Sequence, residues 1–70
     1  MEINIGANIR RIRISRDMEQ QELARYVGIA PPAICMYEKG TKLPSLPTAI
    51  KISKVLRCSM DELCGTGTGP

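Results

Sequence analysis

The stretch MEQQELARYVGIAPPAICMYEKG, Met18 to Gly40, decides the fold. Leu23, Ala24 and Val27 recur at the three- and four-residue spacing of a helix face, so a short helix is predicted over Gln20 to Val27. Gly28 stops it, because only glycine enters the left-handed conformation of a tight exit without steric cost. Pro31 and Pro32 then lead into a third helix, predicted over Ala33 to Lys39 and ended by Gly40. Because Pro32 disfavours helical geometry at Pro31, that helix is expected to begin late, near Pro32. The small Ala24 lets the two helices approach, and Ile29 and Ile34 fill the wedge between them. The unit is helix, tight turn, helix.

Outward from it, helical spacing continues in both directions. Ile5, Ile9 and Ile12 lie at i, i+4 and i+7, one face of a first helix that Asn4 can cap. Arg10, Arg11, Arg13 and Arg16 occupy its other sides. On the carboxyl side, Pro44 interrupts a loop and Ser45 can cap a fourth helix whose first turn accommodates Pro47. Leu46, Ala49, Ile50, Ile52 or Ser53, Val55 and Leu56 give that helix a broad apolar face. Ser59 and Glu62 have the spacing of a capping box for a short fifth helix that buries Met60 and Leu63. Residues 65–70, GTGTGP, read as a flexible tail after a domain of residues 1–64. No alternating β-branched run is long enough for a sheet. The expectation is an all-α, compact five-helix bundle.

Composition removes several functional classes. The 70 residues are 43% hydrophobic and 24% charged, the balance of one small globular domain. So short a chain has little core to spare around a substrate cavity. It has no histidine, the commonest general base, and no nucleophile–base or paired-carboxylate arrangement, so an enzyme is not expected. Cys35, Cys58 and Cys64 cannot all pair and show no C-x-x-C spacing, which argues against a disulfide framework or a zinc site. No cofactor is expected, and the reading is of a cytoplasmic protein with reduced thiols. No apolar run reaches the length of a membrane span. The net charge is +3, and residues 1–58 hold ten basic against five acidic side chains. A positive body suits a polyanionic partner, although a basic solvated surface alone would look the same.

The chain resembles the Cro and phage-repressor type of helix-turn-helix regulators. The matching residues are Ile9-Arg10-x-Ile12-Arg13, Gln20-x-Glu22-Leu23-Ala24, Gly28-Ile29, Ile34, Tyr37-Glu38-x-Gly40, Pro44-Ser45-Leu46, Ile52-x-x-Val55-Leu56 and Asp61-Glu62-Leu63. They cover about residues 5–64. The resemblance implies five helices, binding of double-stranded DNA, and a homodimer that represses transcription. It also implies that Gln20 bonds a phosphate, that Thr41 and Lys42 touch phosphate with Lys39 beside them, and that Arg13 and Glu38 form a structural ion pair.

The third helix departs from the pattern. Where base edges are commonly read, this chain has Pro31, Pro32, Ala33, Cys35 and Met36, none of which makes a bidentate hydrogen bond to a base. Two readings follow. In one, phosphates supply affinity, while apolar contacts to thymine methyl groups and DNA shape supply discrimination. In the other, the same apolar face docks a protein partner. Met18, Met60, Tyr37 and Cys58 read as core, Cys64 as less buried, and Tyr26 as solvated. The apolar edge of the fifth helix, Met60, Leu63 and Cys64, is the expected dimer patch.

Overall fold

The computed structural model describes residues 4–65. Five helices follow in order: α1 (Ile5–Ser15), α2 (Gln20–Val27), α3 (Pro31–Lys39), α4 (Leu46–Leu56) and α5 (Met60–Cys64). There is no strand among the described residues. α1 packs on α3 and α5, and α2 on α3 and α4. One core gathers Ile5, Ile9 and Ile12 from α1, Leu23, Ala24 and Val27 from α2, and Ile34 and Tyr37 from α3. Ala49, Ile52 and Leu56 from α4 and Leu63 from α5 complete it. Met18, Ile29, Cys58 and Met60 pack against its edge, half-buried. The domain boundary expected at residue 64 and most of the predicted tail, residues 66–70, lie at and beyond the limit of the described residues.

Local chemistry explains the ends. Gly28 (φ 86°) and Gly40 (φ 80°) both take the left-handed turn that closes α2 and α3. The Ser45 hydroxyl accepts the Thr48 amide at the start of α4. At α2 the Glu22 carboxylate accepts the Glu19 amide, so a glutamate stands where a serine or threonine commonly caps. Asn4 stands at the start of α1, but its side chain makes no capping bond, contrary to the expectation from its residue type.

The late start expected for α3 is corrected. The helix begins at Pro31, with both prolines in its first turn and Ala30 before it in extended geometry. The first amides of a helix have no partner within it, so two residues without N–H lose nothing there, and each has φ already near the helical value. The broad face assigned to α4 is also narrower than expected. Leu46 and Ile50 are exposed, while the buried stripe is Ala49, Ile52, Ser53 and Leu56. Ser53 tolerates burial because its hydroxyl donates to the Ile50 carbonyl at 2.7 Å.

The capping box of α5 is complete: the Ser59 hydroxyl accepts the Glu62 amide, and the Glu62 carboxylate accepts the Ser59 amide, each at 3.0 Å. The Ser59 amide, helped by its hydroxyl, holds the Glu62 carboxyl below its ordinary range. A carboxyl lowered in the folded state adds stability that is full above its unfolded pKa and is lost as pH falls through its folded pKa. Ser59→Ala removes the hydroxyl but keeps the amide, so it is expected to cost about 1 kcal/mol at neutral pH and to raise the Glu62 titration, followed by NMR, only part of the way to the ordinary carboxylate range. An unchanged Glu62 midpoint would mean that the Ser59 hydroxyl has no share in setting it.

Candidate nucleic-acid interface

The site is built on one buried polar node. Glu38, near the end of α3, has a side chain 3% exposed, and Arg13 on α1 is 11% exposed. Arg13 Nε donates to Glu38 Oε2 at 2.7 Å and Arg13 Nη2 to Oε1 at 3.1 Å, a two-pronged link whose geometry suits a planar guanidinium. The third arm, Nη1, donates to the Met18 carbonyl at 2.7 Å in the α1–α2 turn. Gln20 Nε2, at the head of α2, donates to Glu38 Oε1 at 3.0 Å. Four bonds thus tie α1, the turn, α2 and α3 together.

Gln20 is therefore half-buried, and one amide hydrogen is held inside the node rather than standing free for a phosphate. Thr41 is likewise engaged. Its backbone amide (3.0 Å) and its hydroxyl (3.2 Å) both donate to the Met36 carbonyl, closing the end of α3. Lys39 and Lys42 are exposed, and neither forms an ion pair among the described residues.

The outer side of α3 carries Pro31 and Pro32, both exposed, with Ala33 and Cys35 half-buried and Met36 38% exposed. The helix start offers little to an anion. Pro31 and Pro32 have no N–H, and the Ala33 amide bonds the Ala30 carbonyl at 2.9 Å. The face is apolar, with basic groups gathered at its carboxyl end.

Several functional expectations change with burial. Leu63 is fully buried, so the fifth-helix edge cannot offer it to a dimer; Met60 and Cys64 beside it are half-buried. Among the described residues, the large apolar side chains left exposed are elsewhere: Ile14, Tyr26, Met36, Leu43, Leu46 and Ile50. Arg16, which the helical spacing places only on an outer side of α1, is structural. Its Nε donates to the Leu56 carbonyl at 2.8 Å and its Nη2 to the Arg57 carbonyl at 3.2 Å, capping the end of α4. Tyr26 is 62% exposed beneath the Arg25 guanidinium. Burial, with the nearby Glu62 charge, raises the Cys58 thiol and keeps it protonated at neutral pH. No group of three or more Cys, Asp or Glu among the described residues could hold a metal ion.

Asn8 and Gly6 were not singled out by spacing. Asn8 is buried on α1 and donates to the Leu63 carbonyl (2.9 Å) and the Gly65 carbonyl (2.8 Å), fastening the end of α5. Gly6 lies where α1 meets the carbonyls of Tyr37 and Glu38.

Comparison with known proteins gives a consistent result. The profile of the Helix-turn-helix family matches residues 9–63. The cryptic phage CTXphi transcriptional repressor RstR of Vibrio cholerae is 37% identical over 58 residues, 83% of this chain and 52% of its own length. This chain thus spans about half of that relative. The P22 c2 repressor protein, in a crystal structure with a synthetic operator, superposes with a TM-score of 0.84 at 29% identity, covering 93% of this chain and 97% of its own. SinR, the master regulator for biofilm formation, in complex with DNA, superposes with a TM-score of 0.79 at 30% identity, over 84% and 95%. The node of Arg13 and Glu38, the two glycine-closed helices and the matched span together place this chain in the Helix-turn-helix family, in its Cro and phage-repressor branch.

Proposed function

We propose that the chain is the DNA-binding part of a transcriptional regulator, a repressor, which lays α3 in the major groove of double-stranded DNA. The observation that carries this reading is the likeness, over nearly the whole chain, to a repressor held on its operator. The exposed lysines at the end of α3 support it: Lys39 and Lys42 anchor phosphate, and Gln20, which spends one amide hydrogen on Glu38, has a second to offer. Thr41 serves as a helix cap and positions Lys42 next to it. The protein-docking alternative for α3 is not favoured by the relatives, which are transcriptional regulators. The proposal includes work in the cytoplasm without cofactor or enzymatic activity, as suits a transcriptional regulator of this family.

One domain of this size makes few phosphate contacts, so a homodimer reading two half-sites about 34 Å apart is part of the proposal. With Leu63 buried, the surface for the second copy is Leu43 together with Leu46 and Ile50, the last two lying one turn apart on α4.

The test is binding to random duplex over a range of salt, with the mass of the complex measured alongside. Affinity is expected to fall steeply with salt as counterions are released. Lys42→Ala is expected to weaken binding to all sequences alike and to reduce the salt slope by about one. No binding to any duplex at low salt overturns the reading, and a changed sequence preference in Lys42→Ala overturns the role given to that residue.

A further inference from the structure

Resting on the DNA-binding reading, we propose that α3 recognises the C5-methyl group of pyrimidines as such, so that 5-methylcytosine in duplex DNA is a ligand of this face alongside thymine. The argument is one of elimination among the groups on the helix. Its polar side chains are Tyr37, which is buried, Glu38, which is locked to Arg13 and Gln20, and Lys39 at the far end. The Thr41 hydroxyl donates to the Met36 carbonyl, and the first turn has two residues without N–H and a third whose N–H is bonded. What remains toward solvent along the outer side is the carbon of Pro31, Pro32 and Ala33 and the thioether of Met36, with Cys35 partly covered.

Such a surface is blind to the donor and acceptor pattern of the major groove. Of the groups displayed there, only the C5-methyl gains from leaving water against carbon. Burying one methyl-sized group raises affinity by about fourfold. That gain depends on the methyl and not on the base that bears it. The amino and carbonyl groups at the neighbouring C4 position find no partner on this face, whichever pyrimidine is present.

The experiment uses the whole 70-residue chain and four short duplexes. An alternating dA-dT duplex is compared with the same duplex carrying dU for dT, and an alternating dG-dC duplex with its 5-methyl-dC form. Each comparison is repeated with Met36→Gln and with Pro31→Ser/Pro32→Gln/Met36→Gln, exposed-site changes that leave the core untouched. The expected result is a methyl preference of about fourfold per contacted position in both pairs, reduced in Met36→Gln and brought toward one in the triple variant, with the salt slope unchanged. Equal binding of the dU and dT duplexes, with a normal salt slope, overturns the inference and leaves the DNA-binding reading standing. A methyl preference confined to thymine also overturns it, because the two methyl groups are then not equivalent. A preference that survives in full in Pro31→Ser/Pro32→Gln/Met36→Gln, in which the exposed carbon of the face is replaced by polar groups, shows that the methyl acts through DNA stiffness and overturns it as well. Failure to bind any of the four at low salt is the separate failure of the DNA-binding reading.

Discussion

Glu38→Ala is expected to lower stability by about 3 kcal/mol or more, because it leaves a nearly buried guanidinium without its counter-charge. A 70-residue domain has on the order of 4–10 kcal/mol in all, so the variant should stand near the edge of unfolding at room temperature. The structure adds detail to the pairing that the resemblance implies. Arg13 also holds the Met18 carbonyl, and Glu38 also holds Gln20. Replacing both charges by apolar residues of similar size therefore removes the uncompensated charge but leaves one carbonyl and one amide unpartnered. The double variant should be less damaged than the sum of the singles, yet not as stable as the parent. Urea unfolding of the four proteins measures the cycle; additive single costs would show that the two side chains do not stabilise each other.

Gly6→Ala is expected to destabilise by about 2–3 kcal/mol, against the usual gain of about 1 kcal/mol for this change inside a helix. A methyl group on Gly6 would collide with the Tyr37 carbonyl oxygen and lie 3.1 Å from that of Glu38. Both obstacles are backbone at the end of α3, so neither can swing aside as a side-chain tip would. Relief requires α1 to move away from α3, which also lengthens the bonds from Arg13 to Glu38. A drop in Tm of more than about 8 °C is the expected calorimetric result for a domain of this length. A rise in Tm would falsify the close approach of the two helices.

Much of the fold was legible because it is local. The isoleucine spacing of α1, the leucine and alanine of α2, the glycine stops and the Ser59–Glu62 box each declare themselves within a few residues. What escaped was decided elsewhere in the chain. Arg16 is an ordinary surface arginine until two carbonyls some forty residues on are placed beside it. Gly6 looks like a weak point in a helix because nothing in its neighbourhood encodes how near α3 comes. Leu46 and Ile50 continue an apolar pattern that is wider than the core can cover, and periodicity gives a direction but not the extent of burial. The prolines of α3 were weighed as breakers, whereas at the first two positions of a helix they are well tolerated. At the site, residue types identified the apolar face and the lysines. That Thr41 and Gln20 are partly engaged inside the domain depends on hydrogen-bond geometry that no spacing contains.

The clasp that Asn8 makes on the carbonyls of Leu63 and Gly65 has a bearing on how the protein is made. A helix of five residues is far too short to hold together in water by itself. It exists because its one fully buried side chain, Leu63, has a pocket to enter and its carboxyl end has a side chain to bond. Both are supplied in part by α1, which leaves the ribosome well before α5. By the time residue 65 is added, the surface that shapes it has already been synthesised, and domains generally assemble in that direction. A rearranged gene that moved α1 to the end of the chain would reverse the order, leaving α5 to wait, unformed, for the partner it needs.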